Sequence, residues 1–162
     1  MQAIEPAITG ARYQDLASGT PEAALEQFYA AFNGRDLALM SENWAQTDEI
    51  ALDNPLGGIR RGWADIRPLY ERVFSGPAEV YVEFYDYTLH LGQTLFYAVG
   101  RERGHFRKGD TELALAIRTS RIFKKVDSRW KQVHHHGSIE DPDLLARYQS
   151  AVLGTHTAHE VR

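Results

Sequence analysis

An α+β fold, with a curved antiparallel sheet wrapped on N-terminal helices as a cone-shaped barrel, is what this sequence predicts. Apolar residues recur at helical spacing as far as Phe74, whereas from Glu79 onward the period drops to two and stays there to Ile139. Turn residues (Gly92-Gln93, Lys108-Gly109-Asp110, Val126 to Arg129) divide the second region into four long segments, as in a hairpin meander. Helices first and strands after is the α+β order, with the helices on one face of the sheet.

Each element has its own signal. Residues 1–19 have weak periodicity and read as a flexible arm, although Ile4, Ile8, Tyr13 and Leu16 could dock. Thr20-Pro21-Glu22 supplies a cap hydroxyl, a proline for the first helical position and an acid for the first turn. Leu25, Phe28, Tyr29 and Phe32 then share a stripe, and Gly34 ends the helix. Asp36 caps a second helix carrying Leu37, Met40 and Trp44, and Glu49 to Asp53 is a short strand candidate. A third helix runs from about Ala64 to Phe74, which puts Pro68 near its first turn, where no intrahelical bond is lost. Strands follow at Glu79–Leu91, Thr94–Phe106, Glu112–Lys125 and Arg129–Ile139. Asp141-Pro142 opens a final helix to about Leu153, and 154–162 is expected to be a mobile tail.

At 162 residues, 43% hydrophobic and 25% charged, one domain over 20–153 has enough length to bury a core without staples. A net charge of -4 argues against nucleic acid, whose phosphates need a basic surface. No apolar run is long enough to span a membrane, and a cysteine-free chain fits the cytoplasm. A curled sheet over helices leaves an apolar pocket, the default site for a small-molecule ligand. The sheet's other face is also rich in Tyr, Val and Ile, so a second subunit in a twofold homodimer is the expected cover.

The stretch Ser120 to Ser138 holds the most telling side chains. Arg121 stands among apolar neighbours, and a guanidinium there suits bidentate recognition of an anion. Strand alternation puts His134 and His136 on one face and His135 on the other. No metal-ligand spacing is present, and neither a metal nor a cofactor is expected. Trp63, like Trp44 and Trp130, suits core or rim packing, with Trp63 kept as a pocket-rim contact. Asp53 and His135 are the candidate bases, with no catalytic set visible around them.

Three strings, F-Y-A-A-F-N-G-R-D from Phe28, L-D-N-P-L-G-G-I-R-R-G from Leu52 and W-K-Q-V-H-H-H-G-S from Trp130, give the chain a resemblance. It resembles the SnoaL-like group of the nuclear transport factor two-like superfamily over roughly residues 20–140. That resemblance implies the cone fold and leaves activity open, because the superfamily hosts isomerases, cyclases, dehydratases and scaffolds. Matched to its steroid isomerase branch, the general base falls on Asn54, the oxyanion tyrosine on Phe28 and the protonated acid on Thr119. None of these can play its role, so ketosteroid isomerisation by the usual residues is excluded and the three become pocket-lining expectations. The chain is also similar to calcium/calmodulin-dependent kinase association domains, whose pocket arginines receive a carboxylate. Arg121 matches one of these, and Arg101 another after a two-residue gap.

The expected function is therefore binding of a small anionic or polar-apolar ligand against Arg121, with Arg101, His135, Asn54, Thr119, Phe28 and Trp63 around it. Two alternatives stand beside it: a homo-oligomerisation scaffold using the sheet face, and a cyclase, isomerase or dehydratase with His135 or Asp53 as base.

Overall fold

The computed structural model describes residues 6–154; Ile4 of the arm and the tail after Gly154 lie outside the described residues. Helices α1 (Pro21–Asn33), α2 (Leu37–Asn43) and α3 (Trp63–Ser75) precede the long strands β3 (Glu79–Leu91), β4 (Leu95–Lys108), β5 (Thr111–Val126) and β6 (Arg129–Ser138). Two short strands, β1 (Ala51–Asp53) and β2 (Arg60–Arg61), lie between α2 and α3, and α4 (Pro142–Leu153) closes the described chain. The hydroxyl of Thr20 and the carboxylates of Asp36 and Asp141 each accept a backbone N–H at the start of α1, α2 and α4, satisfying donors that helix starts leave free.

The sheet is curved and unclosed, with six strands ordered β2-β1-β6-β5-β4-β3. It is mixed rather than purely antiparallel, because β1 runs parallel to β6 with Asp53 beside His136. Arg60-Arg61 pairs with β1 as the edge strand. Helix α3 begins one residue earlier than expected, so Pro68 is its sixth residue and the Ala64 carbonyl loses its helical partner. Both residues are exposed, leaving that carbonyl to water.

Curvature has visible causes. A glycine at 104 lets two strands close up: a Cβ there would lie 1.8 Å from the Tyr81 carbonyl oxygen. In β3 the register shifts between Tyr85 and Thr88, where Asp86 adopts φ 46°. In the β5–β6 pair Phe123 faces Gln132 but Ile122 faces His134, leaving Val133 as the extra residue of a bulge. Buried Leu25, Tyr29, Met40, Trp44, Ile66 and Tyr70 from the helices pack into this concave face against Phe84, Phe96, Phe106 and Phe123.

In the N-terminal arm, Ile8 is docked, as its apolar side chain allowed. Ile8 is 1% exposed and exchanges backbone hydrogen bonds with Phe84 at 2.8 and 2.9 Å. The buried Glu26 carboxylate then holds the chain twice, accepting from Gly10 N at 2.7 Å and Arg12 Nε at 3.1 Å. Residues 8–12 are thus docked, because a carboxylate cannot be buried without partners.

Candidate functional site

Inward positions follow strand parity. On β5 the odd residues Leu113 to Phe123 are buried, which brings Arg121 inside, and on β4 the even residues Phe96, Ala98, Glu102 and Phe106 are buried. The bulge at Val133 breaks parity on β6, so Gln132 and His135, three residues apart, both point inward. Between this face and the helices lies a cavity of about 360 Å³, at the small end of ligand-pocket volumes. Its walls are mainly apolar, with Phe28, Leu69, Tyr70, Val82, Leu115 and Ile117 among them.

At its deep end Arg121 is the centre of a closed network. Its Nη2 donates to Glu102 Oε1 at 3.0 Å, Nη1 to Gln132 Oε1 at 2.8 Å, and Nε to the Tyr29 hydroxyl at 3.3 Å. The Tyr29 hydroxyl in turn donates to Glu102 Oε1 at 2.6 Å. Gln132 passes the chain on to Asn43 Oδ1 at 3.0 Å, and Asn43 Nδ2 ends it on the Ala24 carbonyl at 2.9 Å. The guanidinium lies over Phe28, its Cζ 3.5 Å from the ring centroid. Burial opposes the charge of Arg121, but Tyr29 and Glu102 outweigh it and raise its pKa. Burial likewise raises the Tyr29 and Tyr70 hydroxyls, and pushes Tyr148 up to about 12. A charge-compensated deep end results, with Glu102 in the place expected for a ligand carboxylate.

His135 is different. It is 8% exposed, lines the cavity, and its Nδ1 makes no hydrogen bond of acceptable geometry among the described residues. Burial first, and then the charge of Arg121, hold its pKa well below the usual imidazole value against a weaker opposing pull from the Ser120 carbonyl. The ring is therefore neutral at pH 7 and forms part of the cavity wall.

The other expected site residues divide clearly. Phe28 and Asn54 line the cavity; Asn54 Oδ1 accepts from Leu56 N at 3.0 Å, which shapes the turn after β1. Thr119 is buried and its hydroxyl unpaired, yet it does not reach the cavity wall, and Trp63 packs beside the core away from it. Arg101 lies on the outer face, bound to Asp86 at 3.5 Å and Glu140 at 3.3 Å, because odd residues of β4 point outward. Asp53 also stays outside the cavity, since pairing with β6 delivers it to His136 Nδ1 at 2.6 Å, with His134 Nε2 at 3.6 Å. Among the described residues, no group of His, Asp or Glu side chains is arranged to hold a metal ion.

Sequence reasoning missed Glu102 and Gln132. Glu102 sits between two exposed arginines and reads as part of a solvated run, although it shares parity with Phe96, Ala98 and Phe106. That parity was the available signal. Gln132 carried none, because its inward turn depends on the bulge.

The SnoaL-like domain family matches residues 22–142. Among solved structures, a candidate calcium/calmodulin-dependent protein kinase type II association domain from Thiobacillus denitrificans is 27% identical, at a TM-score of 0.62, over 75% of this chain and 96% of that one. A candidate dehydratase of the NTF2-like family from Streptomyces avermitilis is 18% identical, at a TM-score of 0.62, over 71% and 89% of the two chains. A candidate ketosteroid isomerase from Parabacteroides distasonis is 16% identical, at a TM-score of 0.59, over 75% and 89%. At these last two identities the likeness is one of fold. No curated protein matches the chain.

Proposed function

We propose, from the premise that the chain belongs to the SnoaL-like domain family, that it binds a small, largely apolar ligand in its cavity and hydrogen-bonds one polar atom of it through His135. The observation that carries this reading is the buried, neutral imidazole of His135 in a mainly apolar cavity wall. A hydrogen bond from such a ring to a ligand polar atom contributes about 0.5–1.5 kcal/mol. Arg121 serves this reading as the rigid floor that holds Phe28 and Tyr29 in place, its charge already met by Glu102. For catalysis, this geometry offers the neutral His135 as an inward base, the inward Glu102 carboxylate being committed to Arg121 and Tyr29. Asp53 is turned away, and the positions matched to isomerase roles carry Asn54, Phe28 and Thr119.

A thermal-shift screen against apolar acids, alcohols, steroids and aromatic polyketides tests the reading. A ligand present at a hundred times its Kd stabilises the folded state by about 2.7 kcal/mol. For a chain of this length that is roughly 5–10 °C in Tm. The expected result is such a shift in wild type, much reduced in His135→Leu. Absence of any shift across the panel defeats the reading.

One further observation favours a homodimer. Leu95, Tyr97 and Val99 on the outward face of β4 are 44%, 41% and 43% exposed, an apolar stripe on the open side of the sheet. Sedimentation velocity is expected to give twice the chain mass for wild type and the single mass for Tyr97→Glu; a wild-type monomer at micromolar concentration removes this reading.

A further inference from the structure

The entrance of the cavity carries a charge pattern opposite to that of the whole molecule. The chain bears a net -4, yet the cations Arg60, Arg72 and Lys108 all line this cavity and all retain solvent exposure, which places them towards its mouth. Arg60 is partly committed to Asp65, 3.8 Å away. Arg72 and Lys108 have no acidic partner among the described residues. Arg72 also lies in the last turn of α3, where a cation offsets the helix dipole, but Lys108 ends a strand and has no such role. Glu102, the acid on the cavity wall, is spent on Arg121 and Tyr29 at the deep end. From mouth to floor the order is thus free cations, apolar wall, then neutral imidazole beside a compensated ion pair.

We propose that the cavity takes an amphipathic anion, its carboxylate or phosphate head held at the mouth by Arg72 and Lys108 and its apolar body directed inward towards His135. This rests on the pocket-binding reading above and adds the class and orientation of the ligand. An acid group placed deep instead would meet the Glu102 carboxylate and an apolar wall, at a large desolvation cost. At the mouth it stays hydrated and meets two unspent donors, so little is lost on entry.

Calorimetric titration with decanoate, decyl phosphate and 1-decanol tests the orientation, using wild type and the double variant Arg72→Gln/Lys108→Gln. Both replaced side chains are exposed, so the variant is expected to fold, which circular dichroism checks. Wild type is expected to bind at least one of the two acids about tenfold more tightly than decanol, the scale of two exposed ion pairs. In the double variant that preference falls to near parity while the decanol Kd is unchanged. The acid that wins in wild type names the head group. Equal binding of acids and alcohol by wild type, or a preference that survives in the double variant, overturns the orientation and leaves the pocket reading standing. A folded wild type that binds none of the three overturns the proposal, while the wider ligand screen decides the pocket reading separately.

Discussion

Arg121 and Glu102 sit 2% and 5% exposed, and the whole deep end depends on their being present together. Removing one partner of a buried pair leaves an uncompensated charge, which costs about 3–5 kcal/mol, whereas removing both is often close to neutral. Glu102→Gln is therefore expected to lower stability to urea by that amount, and Arg121→Met/Glu102→Gln to regain much of it. A double-mutant cycle with a coupling energy near zero would show that the two act independently. Arg121 was legible in the sequence because apolar residues flank a charge that strand alternation turns inward. Its partner was hidden by Arg101 and Arg103, whose outward charges make the central acid look solvated. A single sequence shows which charge is buried more readily than which charge compensates it.

Among the elements, the β5–β6 hairpin shows what the local chain does and does not encode. The turn at Val126 to Arg129 was readable from its polar residues, and its central Asp127 and Ser128 adopt φ 50° and 65°, as a two-residue hairpin of the right-handed twist requires. Ser128 is strained there, so Ser128→Gly is expected to raise stability by roughly 0.5–1 kcal/mol, visible as a higher urea midpoint. An unchanged or lower midpoint would mean that the added freedom of the unfolded chain outweighs the relief. The bulge at Val133 left no such mark. It arises because the sheet must bend over the helices, a demand made by the tertiary structure, and it brings both Gln132 and His135 inside. Likewise β2 is two residues long, and its pairing with β1 comes from the fold rather than from its own sequence.

Over the whole molecule, the order of helices and strands was enough to give the α+β class and the cone, because the change of hydrophobic period is a global signal. The distribution of charge on that shape was not, since residues 60, 72 and 108 lie far apart in the chain yet line the same cavity. This layout bears on how fast a ligand arrives. At low salt, where the screening length reaches about 30 Å, an approaching anion first responds to the net -4 and is repelled; close to the mouth it responds to the local cations. Added salt should then first speed capture by muting the distant repulsion, and slow it only once the short-range attraction is screened as well. Steered association ordinarily falls steadily with ionic strength, whereas a molecule repulsive at long range and attractive at its entrance has an optimum.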